Sequence, residues 1–320
     1  MPWRHVKTIA SLVAPIVLPV QRLVGRLPGS ADPIAILCAG TPSTADFVAG
    51  ALLEVEERTV VGSLGSPLEL RGNTFRRLCA GADLAAMEVP RAWQACLPAG
   101  TQLRMPAWVS QELLVTTQSP FILSAPILKE VRRHSRRNAF EHCFSTDLND
   151  IRHFYANLYR PYVMARFGTG AVVVDEEQFL AVSRGMTLAM LTAAGDWIAG
   201  MLLQQRGETL HLGWFGSSSV PPRAGASEVL DARSIEWGAA NGASRVIMGH
   251  SRPSLADGVV RYKSRFGANV RSTRFPQRTI GLWVQRWSPA LVASLNGAKF
   301  VNFRDGQPCV YEARPDHATP

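Results

Sequence analysis

Residues 247–268 read I-M-G-H-S-R-P-S-L-A-D-G-V-V-R-Y-K-S-R-F-G-A. The stretch opens as an apolar strand, breaks at a small-residue turn, and continues as a helix from Gly258 that stops at Phe266-Gly267. Into one strand, turn and helix it packs Ser251, Arg252, Asp257, Tyr262, Lys263 and Arg265. Lysine is scarce: the chain holds four, against thirty arginines. The compact ammonium at position 263 is therefore a different tool from the planar guanidiniums around it. Ligands of α/β sheets gather at the carboxyl ends of strands, and the segment reads as the functional edge of an α/β enzyme.

Upstream, a short apolar strand spans Ser244–Gly249, and a helix spans Ser227–Asn241 with Gly242 at its C-terminal cap. The loop S-S-S-V-P-P-R-A-G-A precedes that helix. Before it lie three strand-like runs, Thr187–Ala193, Trp197–Arg206 and Thr209–Gly216. The turns A-A-G-D and R-G-E join them into an antiparallel meander. A helix is expected over Glu176–Ser183. A longer one starts at Asp147 with an apolar face of Ile151, Phe154, Tyr155 and Leu158 and a kink at Pro161. A strand covers Phe140–Ser145. Ahead of it, the helix Ile127–Phe140 carries Lys129, Arg132, Arg133, Arg136 and Arg137 on one face, suited to phosphates, to anionic lipid or to solvent.

Residues 30–100 have a β-α-β rhythm: a strand over 34–42, a helix from Thr44 to about Glu57, strands at Thr59–Leu64 and Asp83–Val89, and a short helix at Arg91–Cys96. Gly40-Thr41 reads as a structural turn, since no G-x-G-x-x-G accompanies it. Residues 100–126 read as irregular. Downstream, a strand near Thr279–Gln285 and a helix at Pro289–Leu295 are expected, and nothing is read beyond Arg304.

Hydrophobic residues make up 47% and charged residues 18% of the 320, which excludes a disordered chain and supplies one large or two modest cores. The net charge of +9 favours anionic partners. The five cysteines and seven histidines are scattered without metal spacing, so neither a disulfide framework nor a metal site is expected, and a reducing cytoplasm fits. The apolar run 8–20 is too short to span a bilayer. A proline-kinked helix packed on the domain is expected first and, from the flanking Arg4, Lys7, Arg22 and Arg26, a membrane-surface segment second; a secretion signal comes third, since Pro15 and Pro19 interrupt its apolar run. The division expected is 1–29 as an N-terminal segment, 30–126 as a small α/β unit, 127–288 as the main domain, and 289–320 as a terminal helix and tail.

The order of elements resembles the N-acetyltransferase (GNAT) superfamily. G-H-S-R-P-S-L-A-D-G-V-V-R-Y-K-S-R-F-G-A, F-Y-A-N-L-Y-R-P-Y-V-M-A-R-F-G and the D-W-I-A-G hairpin resemble its FemAB-like branch, over roughly residues 120–285. The resemblance implies an α/β (α+β) fold: a mixed sheet with an antiparallel meander, flanked by helices and preceded by the small α/β unit. It also implies acyl or aminoacyl transfer to an amine of an anionic, cell-envelope or lipid-linked acceptor. Acyl-CoA and aminoacyl-tRNA are both open as co-substrate, with no tightly bound cofactor. An acetyl-CoA-dependent N-acetyltransferase and a non-catalytic phosphate-ligand or tRNA binder are the alternatives. The location implied is cytoplasmic, with peripheral contact at the inner membrane face.

Catalytic candidates are Lys263 (charge for the oxyanion or leaving oxygen), Asp257 (orienting Lys263 or Arg261, accepting a proton, or capping the helix) and His250 (base, or structural residue at a strand end). Ser251, Arg252 as an anion clamp, Tyr262, Tyr159, Arg160 and Tyr162 are candidate substrate contacts. Arg223, Gly225, Ala226 and Ser227 are candidates to cradle phosphate, although Arg223 and Gly225 stand one residue closer than the usual acyl-CoA loop. The Trp283, Arg286 and Trp287 cluster suits work beside a membrane.

Overall fold

In the computed structural model, residues 17–115, 123–167, 173–219, 221–273 and 278–315 are described. The first half of the chain runs β1 (Leu18–Arg26), β2 (Pro33–Ala39), α1 (Pro42–Leu52), β3 (Glu54–Leu64), α2 (Asn73–Leu78), β4 (Leu84–Pro90), β5 (Leu103–Pro106) and β6 (Val109–Leu114). The second half runs α3 (Ala125–Asn138), β7 (Phe140–Ser145), α4 (Leu148–Phe154), a π-helical turn (Tyr155–Tyr159), α5 (Arg160–Phe167), α6 (Glu176–Ser183), β8 (Thr187–Ala193), β9 (Asp196–Arg206) and β10 (Thr209–Ser217). It continues through α7 (Ala226–Ala240), β11 (Arg245–Ser251), α8 (Gly258–Arg265), β12 (Asn269–Ser272) and β13 (Arg278–Val284). Helix α9 (Pro289–Ala298) and the hairpin β14 (Val301–Arg304) and β15 (Gln307–Val310) follow.

The strands form two mixed sheets, ordered β3-β1-β2-β4-β13-β5 and β12-β6-β11-β10-β9-β8-β7. One parallel pair sits inside each: β2 with β4, and β10 with β11. Strand alternation sends successive side chains to opposite helix layers. In β8, Ala189 and Leu191 pack with α3 and α7, while Leu188 and Met190 pack with Phe154, Leu158 and Phe179. In β4, Leu84 and Ala86 join α1 and α9, while Ala85 and Met87 join Leu70 and Phe75. The α/β architecture with an antiparallel meander, expected from the sequence, is present.

The halves exchange strands. β6, from the first half, lies between β11 and β12; β13, from the second, lies between β4 and β5. With β3, α2 and α8 set aside, the order β2-α1-β4-β5-β6 recurs as β10-α7-β11-β12-β13, with each last strand given to the other sheet. A cut at residue 126 or 288 therefore does not separate the sheets.

Several local expectations give way. Leu18–Arg26 is a strand, with Pro19 opposite Ser63 on β3; residues 1–16 lie outside the described residues. The first helix stops at Leu52, because V-E-E-R-T-V-V, with three valines and a threonine, extends β3 instead. Residues 100–126, read as irregular, hold β5 and β6. The irregularity expected at Pro161 is a wide turn just before it, in which Arg160 N–H reaches the Tyr155 carbonyl five residues back. This turn lies so close to the sheet that a Cβ on Gly200 would come within 2.7 Å of Phe154, and one on Gly216 within 2.6 Å of the Tyr159 backbone. The Trp283 and Trp287 side chains pack inward, and Arg286 pairs with Asp83 at 2.9 Å, so this cluster braces the first sheet.

Candidate active site

Strands β10 and β11 pair only from Thr209↔Arg245 to His211↔Ile247. Beyond that point β10 shifts register against β9 between Leu212 and Phe215, and β11 shifts against β6 between Ile247 and His250. The two strands part and leave a cavity of about 540 Å³. Met201, Leu212, Phe215 and Met248 make its apolar floor, with Tyr162 and Arg166 of α5 on one side. The start of α7 (Arg223, Ala224, Gly225, Ser227, Glu228) and Tyr262 and Lys263 of α8 complete it, with Asp231 one turn into α7.

Gly225 caps α7 in the left-handed region (φ +81°), and no side chain caps the helix. A Cβ there would meet the His134 ring at 2.1 Å, so both the backbone conformation and the close approach demand glycine. The N–H groups of Ser227 and Glu228 precede the first helical bond, Val229 N–H to the Gly225 carbonyl at 3.0 Å. With Arg223 beside them they form an electropositive corner suited to phosphate.

Opposite this corner, Tyr262 donates its phenol O–H to Asp231 Oδ2 at 2.6 Å. Burial pushes the Asp231 carboxyl up to about 6, against the opposing pull of the Tyr262 bond and the Lys263 charge. Burial and the Asp231 charge together drive the Tyr262 phenol far upward, so it stays protonated and donating. Lys263 Nζ donates to the His250 carbonyl and to Ser251 Oγ, both at 3.1 Å. Ser251 Oγ–H donates to Gln111 Oε1 at 2.6 Å, and Gln111 Nε2 donates to the Val260 carbonyl at 3.1 Å. Burial lowers the Lys263 ammonium to about 8, with Asp231 and Asp257 pulling the other way. Gln111 comes from β6, so the exchanged strand reaches the residue that holds the lysine.

Of the residues singled out from sequence, Tyr162, Arg223, Gly225, Ser227, Tyr262 and Lys263 meet around the cavity. Ser251 stands behind Lys263. Ala226 is fully buried, with its N–H on the Arg223 carbonyl at 2.9 Å, and does not line it.

Arg252 is placed elsewhere. Its guanidinium lies 4.0 Å from the Trp108 ring centroid and 5.3 Å from that of Phe47, and it donates to the Ala107 carbonyl at 3.1 Å. It also bonds the Ser43 carbonyl and hydroxyl, so it clamps the halves together rather than an anion. Asp257 is the α8 cap, accepting from Val259 N–H at 2.9 Å and Val260 N–H at 3.0 Å. His250 turns its ring to Thr273 at 3.1 Å and gives Lys263 only its carbonyl. Tyr159 is buried in stacked aromatics with Phe179 and Trp214, and Arg160 is exposed away from the cavity.

Asp231 was missed in the sequence. A helix-face reading from Ser227 finds it four residues on, one turn along the face that opens at the cradle. Among the described residues no cluster of metal-ligating side chains occurs. The five cysteines are free; burial pushes the Cys38 and Cys79 thiols up to about 12, which leaves them unreactive.

No family model matches the chain. No curated protein matches it either. Among solved structures, the chain is similar to the C-terminal domain (DUF2156) of a protein from Agrobacterium fabrum named as a lysylphosphatidylglycerol synthetase. The two share 12% identity, with 86% of this chain and 84% of that one covered at a TM-score of 0.43. The L-PGS structure from Bacillus licheniformis has 11% identity, 87% and 85% coverage and a TM-score of 0.40. A structure from Novosphingobium aromaticivorans, named for the GNAT acetyltransferase family, has 16% identity, 69% and 82% coverage and a TM-score of 0.32. At such identities the chemistry has to come from the site's own residues.

Proposed function

We propose that the cavity transfers an acyl group from a phosphate-bearing carrier to an amine. The observation that carries this reading is the Asp231 carboxyl, fixed by Tyr262 and held near 6 by burial, lining the cavity one turn along α7 from that helix's uncapped start. Near neutral pH it is mostly ionised and able to take a proton from the acceptor's amine as it attacks. The amine nitrogen forms a bond to the acyl carbonyl carbon, Asp231 receives the amine proton, and the bond from carbonyl carbon to the carrier breaks. Lys263 is mostly protonated at that pH; its ammonium stabilises the developing negative charge, and can return a proton to the leaving atom. Arg223 and the Ser227 and Glu228 N–H groups hold the carrier phosphates, and Arg166 adds positive charge for an anionic acceptor.

An acyl-CoA fits the cradle as donor; aminoacyl-tRNA is the second donor class. The apolar floor suits an acceptor carried on lipid. A thermal-shift series with CoA, acetyl-CoA and charged tRNA tests the assignment. Stabilisation by acetyl-CoA that weakens in an Arg223→Ala variant is expected. Stabilisation by charged tRNA alone would move the donor to the aminoacyl ester, and no stabilisation by any of the three would remove the donor site. Turnover surviving in Asp231→Asn would overturn the base assignment.

A further inference from the structure

We infer that α3 is a docking surface for an anionic bilayer, presenting the mouth of the cavity to the headgroup plane. The inference stands on α3 itself and draws on the proposed reaction only for its purpose, delivery of a lipid-carried acceptor. Lys129, Arg132, Arg133, Arg136 and Arg137 recur at i, i+3, i+4, i+7 and i+8, so all five fall on one face, a line of about 12 Å. All five are exposed, while Ile127 and Val131 are buried beneath them and fix the helix against the second sheet. The helix has one acidic residue, Glu130, and its carboxylate is turned to Arg265 of α8, with Arg133 at 3.7 Å and His134 at 3.8 Å. Among the described residues no carboxylate pairs with Lys129, Arg132, Arg136 or Arg137, so their charge is left for an outside partner.

The helix that carries the stripe abuts the cavity through its other residues. His134 abuts Gly225, and Asn138 Nδ2 donates to the Ala224 carbonyl at 3.2 Å, so α3 lies directly against the start of α7. A surface that engages the stripe therefore meets the cavity's rim. Two features favour bilayer phosphates over a nucleic acid. Ala125–Asn138 holds no Phe, Tyr or Trp on which a base would stack, its His134 ring is turned against Gly225, and its cations lie in a single line along a helix. Four of the five are guanidiniums, which pair with phosphate in bidentate fashion. Guanidiniums close to an anionic membrane surface each strengthen adsorption by about fivefold, and the attraction fades within a Debye length as salt rises.

Vesicle co-sedimentation of the full chain tests this, with an equal mixture of phosphatidylglycerol and phosphatidylcholine against phosphatidylcholine alone. Binding to the anionic vesicles only, weakening as salt is raised, is expected. Replacing Arg132, Arg133, Arg136 and Arg137 by Gln should weaken it by several hundredfold, from about fivefold per guanidinium. The same four changed to Lys should retain it, which separates lost charge from lost fold. A control removes equal charge elsewhere: Arg76, Arg77, Arg91 and Arg104, all exposed, changed to Gln. Equal loss in the control and the stripe variant would overturn the inference, since net charge alone would then explain binding. So would no binding to anionic vesicles, or stripe-dependent binding of a tRNA pool without vesicle binding. Asp231→Asn should bind vesicles normally, so failure of the docking surface and failure of the transfer chemistry are read separately.

Discussion

Helices α1 and α7 both begin where one strand of a parallel pair ends, and the two beginnings are filled differently. At α1, Glu88 from β4 reaches in. Its Oε2 accepts Thr41 N–H at 3.1 Å, Thr41 Oγ1–H at 2.6 Å and Thr44 Oγ1–H at 2.7 Å, and its Oε1 accepts Arg278 Nε–H at 2.7 Å. Burial pushes that carboxyl up, but Arg278 and the threonines outweigh it, and it is held below the usual carboxylate range. At α7 no side chain caps the helix, and the cavity opens in front of it. A helix start attracts negative charge. The first half meets that demand from its own chain; in the reading above, the second half leaves it to a ligand. One plan, used twice, gives a brace on one side and an open cavity on the other.

The sharpest way to break that contrast is a mirrored pair of substitutions. Asp231→Asn should lower kcat by about 10²–10⁴-fold while leaving the fold intact, measured by steady-state turnover. Glu88→Ala, by contrast, should cost about 3–5 kcal/mol in a urea melt, because Arg278 is left buried without its partner. Similar stability losses for the two would erase the distinction between brace and site.

The pH dependence follows from the same residues. The rate should rise as Asp231 loses its proton near 6 and fall as Lys263 loses its proton near 8; a flat profile across that span would remove both from the reaction. Stability has its own sign. The Asp231 carboxyl binds its proton more tightly folded than unfolded, so its contribution is present below about pH 4 and lost as pH rises through about 6. The melting advantage of Asp231→Asn over the parent should therefore grow between those values. Gly200→Ala, which drives a methyl against Phe154, should cost about 1–3 kcal/mol without shifting either limb of the rate profile. The smallest effect expected is from Gln111→Leu. It should unfasten Ser251 and move the upper limb near pH 8, with only a modest stability change.

The meander, α6 and α8 were legible because local signals agreed: alternation in the strands, Asp175 and Asp257 as caps, glycine at the ends. The Asp305-Gly306 hairpin carries an equally local signal: both residues take positive φ, as the D-G pair announces. The strand exchange was not legible, because nothing in the composition of β6 or β13 says which sheet it will enter. That ignorance carried into the site. Arg252 looked like an anion clamp until β5 and β6 brought Ala107 and Trp108 beneath it. Lys263 and Tyr262 were found by rarity and motif, whereas Asp231 hid among helix residues whose inward face only the folded cavity defines.

The strand exchange also bears on how the chain is made. β4 and β5 leave the ribosome early, but the strand that joins them, β13, is made about 170 residues later, as the register Leu84↔Val284 and Leu103↔Leu282 requires. Until then β4 and β5 have no strand between them, and β6 waits for β11 and β12. Neither sheet is complete until the last strand of the other half is made, so a nascent first half is held together by long-range contacts it has yet to form. Truncation before residue 269 would leave both sheets torn, and truncation between residues 273 and 278 would tear the first.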